Sequence, residues 1–243
     1  MAGTARVREP GQTREPCGTP GSACRARLTR REYSVEPMRP SQLEAYGGRD
    51  LAMEARMPQP GRVLLNRVTG QRLIFRRTAA QTRGRILELE LVYPPGGRPP
   101  PDHLHPEQEA TLEVLEGTLQ ARVDGRPRPI AAGDVLVLQA GARHAVWNPG
   151  PAEARAVWLT YPALASEALL ETLWALGQLG RTDRRGSPDL FQTAVLLRAY
   201  SREIQLAWPP RLVQRAVLAA LAPLGRGLGC AAHLAYEADP ADR

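Results

Sequence analysis

The stretch GGRPPPDHLHPEQEATLEVLEG, Gly96–Gly117, decides the fold and contains two of the four histidines in the chain. His103 and His105 are separated by one residue and follow a run of prolines. In an extended segment successive side chains alternate between faces, so both imidazoles point the same way, with their Cα atoms roughly 6.6 Å apart. This spacing predicts two ligands of one metal ion.

The histidine pair lies within a long region of short extended segments, which we place at residues 60–162. Apolar and polar residues alternate in several segments, as Leu87 and Leu89 alternate with Glu88 and Glu90. Glycines separate the segments, and no helical period intervenes. Many short strands without helices between them predict an antiparallel sandwich or small barrel. The segments are RVLLN, QRLIFRR, GRILELELVY, ATLEVLEG, TLQARVDG, DVLVLQAG and ARAVWLTY.

A third histidine occurs in a second patterned stretch, QAGARHAVWN, where Gly141, His144 and Asn148 stand at fixed offsets. The two stretches resemble the paired motifs of the cupin superfamily. The first of these motifs contains His-x-His followed by Glu and Gly, and the second contains Gly, His and Asn. The resemblance runs from Gly97 to Asn148, and the surrounding strands extend it to about residues 60–162. It implies a mainly β fold built on a single-cupin jelly-roll barrel.

The glutamate of the first motif has two candidate positions. If three residues separate His105 from the glutamate, its position is Glu109. If six residues separate the glutamate from Gly117, its position is Ala110. One residue reverses the facing of a side chain in a strand, and alternation through Ala110 places small and apolar groups inward. A local bulge would return Glu109 to the site. The candidate metal ligands are therefore His103, His105, His144 and Glu109.

Such a donor set has a defined chemistry. Three neutral imidazoles bind first-row divalent metals through nitrogen and leave coordination positions open for water, substrate or dioxygen. Open positions are typical of catalytic rather than structural sites. The expected cofactor is a divalent ion of Fe, Mn, Ni or Zn, and the sequence does not select among them. Histidines that only form hydrogen bonds in a metal-free barrel are the alternative.

Two functions follow from the resemblance. The first is a metal-dependent enzyme, a dioxygenase or an isomerase, that acts on a small organic molecule, with oxygenase chemistry placed ahead of isomerisation. The second is a non-catalytic barrel that binds or senses a metabolite, which Ala110 favours. Nearby, Glu107 and Gln108 are expected in a solvated loop, and Trp147 and Trp158 are expected to pack in the barrel.

The first segment, residues 1–59, is rich in Arg, Pro, Gly, Glu and Ser and has no sustained apolar period. We predict that it is disordered, because it cannot bury enough apolar area to offset the entropy of ordering. Alternatively, the protein begins at Met53 or Met57.

Composition sets limits on the partners and the location. The formal charge of +7 is carried by arginine, with no lysine in the chain. We attribute this usage to the coding bias of a GC-rich genome and predict no nucleic-acid partner. The cysteines form no CxxC pair, and no apolar run has the length of a membrane span or the form of a secretory signal. A cytoplasmic protein is expected.

Residues 163–243 change to a helical period, and two or three helices are predicted. Leu169, Leu173 and Leu176 belong to one apolar stripe, and a second helix is expected to open with Ser187 as its cap and Pro188 in its first turn. The chain resembles small bacterial cupin-domain proteins that carry GQRLIF and RRGSPDLFQTAVLLRAY.

The apolar faces of the predicted helices have to be covered by another surface. We expect them to pack on the barrel or on a second subunit, and the superfamily resemblance implies a homodimer. A membrane surface is the alternative for the last helix, which carries arginines beside apolar residues.

Overall fold

The computed structural model describes residues 59–237 of the 243-residue chain. The predicted disordered tail, residues 1–59, lies outside the described residues except for Gln59, as do Met53 and Met57. Within the described range the chain forms eleven strands and three helices. The strands are β1 (Val63–Leu65), β2 (Arg72–Arg77), β3 (Leu87–Tyr93), β4 (His103–Leu104), β5 (Glu109–Glu116), β6 (Thr118–Val123), β7 (Arg126–Ala131), β8 (Val135–Leu138), β9 (His144–Trp147), β10 (Ala154–Tyr161) and β11 (Gln205–Leu206). The helices are α1 (Ser166–Gln178), α2 (Leu190–Ala199) and α3 (Arg211–Gly227).

The strands form two antiparallel sheets. One has six strands in the order β1-β2-β3-β10-β5-β8, and the other has five in the order β11-β4-β9-β6-β7. Neighbours in these orders are far apart in sequence, since β10 lies between β3 and β5, and β9 lies between β4 and β6. This arrangement confirms the predicted jelly-roll barrel, and the three helices that follow it confirm the predicted helical extension.

Apolar side chains from both sheets fill the space between them. Leu112 and Leu136 come from the six-stranded sheet, and Leu119 and Val146 come from the five-stranded sheet; all four belong to one buried cluster. In β5 the alternate residue Glu113 is exposed. Burying one face of each sheet removes apolar surface from water, which is the main stabilising contribution to a β-sandwich.

Helix α1 packs on the barrel. Trp174 and Ala175 of this helix join a second buried cluster with Leu73, Phe75 and Leu87 from β2 and β3. The helix therefore covers the edge of the six-stranded sheet nearest the start of the barrel, whereas Leu169 and Leu176 of its predicted apolar stripe pack in a separate cluster with α2.

The start of α2 differs from the prediction. Asp189, not Ser187, is the N-cap, and its carboxylate accepts a hydrogen bond from the main-chain N–H of Gln192 at 2.9 Å. Ser187 belongs to the preceding loop, where its N–H donates to the side chain of Asp183 at 2.9 Å. Ser and Asp are both good caps, so the spacing alone did not distinguish them. Pro188 consequently precedes the helix instead of occupying its first turn.

The chain returns to the barrel after α2. Strand β11 extends the five-stranded sheet, with Leu206 opposite His103 of β4. We call residues 202–206 the strap. Further on, the hydroxyl of Tyr236 accepts a hydrogen bond from the N–H of Leu65 at 2.9 Å. The region after residue 162 is therefore integrated with the barrel through both sheets.

None of the three helices that the structure describes combines the length and the apolar character that crossing a bilayer requires.

Candidate metal centre

Three histidines meet beside the β4–β9 pair. His103 of β4 lies directly opposite His144 of β9, and His105 follows the end of β4. The ring centroids of His103 and His144 are 4.5 Å apart, those of His105 and His144 are 5.0 Å apart, and those of His103 and His105 are 5.4 Å apart. One nitrogen of each ring lies within 4.8 Å of the other two. The structure thus brings together three of the four predicted ligands.

A main-chain carbonyl orients each imidazole. The acceptors for the Nδ1 atoms of His103, His105 and His144 are the carbonyls of Pro101 at 3.1 Å, Glu203 at 2.6 Å and Ala142 at 3.0 Å. A carbonyl only accepts, so in each ring Nδ1 carries the hydrogen and Nε2 keeps its lone pair. Metal-binding histidines commonly use their second nitrogen in this way.

The Nε2 atom of His144 is a buried nitrogen without a hydrogen-bond partner in the described part of the chain. A buried acceptor that stays unpaired costs free energy, so such atoms in a folded protein call for an explanation. A cation shared with His103 and His105 would satisfy it. The residues present therefore fit a divalent metal ion.

Burial also keeps the three rings neutral. The pKa of each imidazole is lowered from 6.5 to about 4, mainly by burial and secondly by a neighbouring imidazole. The carbonyl hydrogen bonds act in the opposite direction. A neutral imidazole is the form that binds a metal, so at neutral pH no proton has to be displaced. His103 and His105 remain partly accessible to solvent, which leaves the site open on one side.

Glu109 does not join the histidine cluster. It begins β5 opposite Tyr161 of β10, and its carboxylate is not among the atoms grouped with the three imidazoles. The pairing of β5 with β10 is regular from Glu109 to Val114, so the structure has no bulge there. Ala110 is 2% exposed and faces the core. The geometry assembles the three histidines without a carboxylate.

Gln108 does not lie in a solvated loop as expected. It is 1% exposed, and its Nε2 donates to the carbonyl of Pro162 at 2.7 Å and to the hydroxyl of Ser166 at 2.8 Å. Carbonyls at the barrel–helix junction need donors once they are buried, which explains its position. Glu107 is exposed as expected and pairs with Arg202 at 2.7 Å.

Trp158 forms a wall beside the site. Its ring centroid lies 6.2 Å from that of His144, and its Nε1 donates to the hydroxyl of Tyr93 at 2.9 Å. Burial raises the pKa of Tyr93, so its phenol stays neutral. Trp158 also packs against both core clusters, which confirms its predicted packing role. Trp147 is half-buried, and the guanidinium of Arg122 lies 5.5 Å from its ring centroid.

Sequence reasoning missed the strap. The Glu203 carbonyl orients His105, and the Glu203 carboxylate in turn accepts a hydrogen bond from the N–H of Ala165 at 3.0 Å. Glu203 is 6% exposed. Because the main-chain carbonyl makes the contact, no residue type at position 203 signals it in the sequence.

Comparison with known proteins places the histidines in a described family. Residues 89–160, which include all three histidines, match the sequence profile of the cupin domain. A stretch of 68 residues is 34% identical to the polyketide synthase CurC of Streptomyces cyaneus. That match covers 28% of this chain and 44% of the relative, so the chain spans less than half of that protein's length.

Solved structures with a similar barrel include two named enzymes. A sugar phosphate isomerase of the cupin superfamily from Silicibacter pomeroyi is 25% identical, with a TM-score of 0.35 over 42% of this chain and 66% of that one. A predicted oxalate decarboxylase from Thermotoga maritima is 18% identical, with a TM-score of 0.37 over 44% of this chain and 95% of that one. The paired strands, the histidine positions and the profile match agree that residues 89–160 belong to a cupin domain.

Proposed function

We propose that His103, His105 and His144 hold one divalent metal ion and that the chain binds or transforms a small organic molecule at this site. The observation that carries the proposal is the common orientation of the three rings. Each Nδ1 is occupied by a carbonyl, and the buried Nε2 of His144 has no other partner within the described residues. Hydrogen bonding alone would not leave that nitrogen unpaired.

The residues around the site define what it can do. When bound, a divalent ion supplies Lewis acidity and, if it is Fe or Mn, redox chemistry with dioxygen. The three imidazoles leave positions open, and the partial exposure of His103 and His105 gives a small molecule access. Trp158 offers an apolar face for its body. Oxygenase-type chemistry, placed ahead of isomerisation, rests on the superfamily resemblance.

Metal analysis of full-length protein purified without a histidine tag tests this proposal. We expect about one Fe, Mn, Ni or Zn ion per chain, as for a mononuclear site. H144A should abolish stoichiometric metal binding, whereas H233A, at an exposed histidine outside the cluster, should leave it unchanged. Protein that folds fully and binds none of these ions when they are supplied would refute the proposal.

A non-catalytic binding or sensing barrel is the second candidate, and the position of Glu109 and Ala110 favours it. A barrel without a catalytic role tolerates the loss of a carboxylate ligand, and no carboxylate from residues 59–237 joins the cluster. Oxygen uptake and product formation by metal-loaded protein distinguish the two candidates. The screen should include polyketide-type compounds, because the 34% identical relative is named as a polyketide synthase. Binding without turnover supports the second candidate.

Association into a homodimer and a cytoplasmic location stay predictions. Light scattering coupled to gel filtration measures the mass of the assembly directly. A mass of two chains would support the homodimer, and a mass of one chain would exclude it at that concentration.

A further inference from the structure

A cavity of about 510 Å³ lies outside the barrel, between α2, the strap and α3. Its volume is within the roughly 300–1,000 Å³ range of small-molecule sites. We call it the arginine groove, because four arginine side chains line it. They are Arg198, Arg202, Arg211 and Arg215.

Positive charge in the arginine groove is poorly compensated. Glu107 is the only acidic residue among those that line it, and Glu107 already pairs with Arg202. Arg198, Arg211 and Arg215 form no ion pair with any residue that the structure describes. Helix α3 contains no Asp or Glu at all. Like charges that line one cavity repel each other, and a bound anion relieves this repulsion.

The floor of the groove is apolar. Leu197 is 7% exposed, and Ile204 and Leu218 are half-buried, so these side chains present a hydrophobic surface beneath the guanidinium groups. Ser201 and Gln205 add polar groups to the lining. A purely inorganic anion would use the arginines and leave the floor uncovered. A ligand with an anionic head and an apolar body would use both.

The walls of the groove are fixed to each other. The buried side chain of Gln214 on α3 donates from Nε2 to the carbonyl of Leu206 at 2.8 Å and also to the carbonyl of Pro209. The N–H of Glu107 donates to the carbonyl of Arg202 at 3.3 Å. These bonds hold α3 and the loop before β5 against the strap, so the cavity is formed before any ligand enters. Preorganisation of this kind lowers the entropic cost of binding.

From this lining we propose that the arginine groove is a binding site for a small amphiphilic anion, a phosphate or carboxylate attached to an aromatic or aliphatic body. Guanidinium groups bind both anions through paired hydrogen bonds. The site is separate from the metal centre, although the strap borders both. Arg202 and Gln205 line the groove, while the neighbouring Glu203 carbonyl orients His105.

A membrane surface fits this geometry less well. Val213, Val217 and Leu224 are exposed on α3, with 49%, 42% and 58% of their surfaces accessible. Arg211 and Arg215 instead line the groove between α3 and its neighbours. The apolar and the cationic side chains therefore lie on different faces of α3, and a lipid surface that covered the apolar face would leave the arginine groove without an anion.

Titration calorimetry with phenyl phosphate as the probe tests the proposal on the full chain. Phenyl phosphate should bind more tightly than inorganic phosphate, and neutral benzyl alcohol should show no measurable binding. The R211Q/R215Q variant should lose about tenfold or more in affinity, as expected when charge-assisted hydrogen bonds are removed. R198Q, on the opposite wall, should show a loss of the same kind.

The matched control is R226Q, an exposed arginine on the same helix that does not line the groove. Its affinity for phenyl phosphate should stay within about twofold of the parent, as for a charge change outside the contact. An equal loss in R226Q and R211Q/R215Q would overturn the proposal, as would equal affinity for phenyl phosphate and inorganic phosphate. Binding to phosphatidylglycerol vesicles without binding to phenyl phosphate would overturn it in favour of a membrane surface. H144A should bind phenyl phosphate normally, which separates this site from the metal centre.

Discussion

The imidazole of His105 donates its Nδ1 hydrogen to the main-chain carbonyl of Glu203, 2.6 Å away and 98 positions later in the chain. A candidate metal ligand at the mouth of the barrel is thus oriented by the segment that follows the second helix. Glu203 is itself fixed, since its carboxylate accepts a hydrogen bond from the N–H of Ala165 at 3.0 Å. The segment that follows α2 therefore contributes to the candidate metal centre.

Replacing Glu203 with alanine tests this dependence. E203A removes the acceptor for the Ala165 N–H and frees the strap, so the His105 ring loses its fixed orientation. We expect metal affinity to fall about 10- to 100-fold, the usual effect of losing an outer hydrogen bond at a metal site. E203Q keeps an oxygen acceptor and should restore most of the affinity. Competition with a chelator, well below the melting temperature, measures the change.

The control for this prediction is E107Q. Glu107 adjoins the strap through an exposed ion pair with Arg202, which contributes roughly 0–1 kcal/mol to stability. Metal affinity in E107Q should match that of the parent protein. If E203A and E107Q bind metal equally well, the strap does not position His105.

Removal of the Glu109 carboxylate should not change the metal affinity of the protein. The strand pairing of β5 is regular from Glu109 to Val114, and the carboxylate does not lie within 4.8 Å of all three imidazole nitrogens. We therefore expect E109A to bind one ion per chain with an affinity within about twofold of the parent, since it alters no ligand. The paired variant H103A should lose stoichiometric binding. A comparable loss in E109A would identify Glu109 as a fourth ligand.

Strand periodicity explains why the barrel and the pairing of His103 with His105 were predictable. Alternation of apolar and polar residues from Glu109 to Val114 in β5 specifies which face is buried, and burial then fixes the register of the strand. Once β4 and β9 pair in that register, His103 and His144 lie opposite each other. His105 is on the same side because the period of a strand is two residues. The strand period thus predicted that His103 and His105 share a face, whereas His144 was predicted from the resemblance to the second cupin motif.

Contacts between distant main-chain groups were not predictable in the same way. The Glu203 carbonyl, the burial of Gln108 and the pairing of β11 with β4 depend on where the chain passes after α2. Any residue has a carbonyl, so its use as an acceptor leaves no pattern in the sequence. The same limit applied to α2, where Ser187 and Asp189 are both suitable caps and tertiary contacts selected Asp189.

The metal-free protein should lose stability as the pH falls below neutrality. Burial lowers the pKa of His103, His105 and His144 to about 4, below the ordinary value of 6.5. Stability from these groups is present above pH 6.5, where both folded and unfolded chains hold them neutral. This stability is lost as the pH falls towards about 4, because the imidazoles bind protons in the unfolded chain before they bind them in the folded chain.

The slope of the free energy of unfolding against pH tests whether these three histidines cause the loss of stability. Each imidazole contributes at most about 1.4 kcal/mol per pH unit to the free energy of unfolding. Denaturant unfolding of chelator-treated protein between pH 6.5 and 4 measures the slope, and H103Q should reduce it. An identical slope in H103Q and the parent would show that His103 titrates alike in the folded and unfolded chains.

Gln108 should contribute to stability rather than to metal binding. Its Nε2 donates to the carbonyls of Pro162 and Ala163 and to the hydroxyl of Ser166, so it joins the start of β5 to the start of α1. Q108A would leave buried acceptors unpaired, which costs about 1–3 kcal/mol per group. We expect Q108A to lower the free energy of unfolding by about 2–3 kcal/mol in urea titrations.

The matched change is Q120A on β6, where the half-buried amide donates only to the carbonyl of its neighbour Ala121 at 2.9 Å. That bond joins no separate elements, so its loss should cost less than about 1 kcal/mol. Metal content in Q108A should equal that of the parent, because Gln108 faces the helix junction and not the histidines. Gln108 follows His105 closely in the sequence. If Q108A lost metal without losing stability, the side chain of Gln108 would instead be assigned to the metal site.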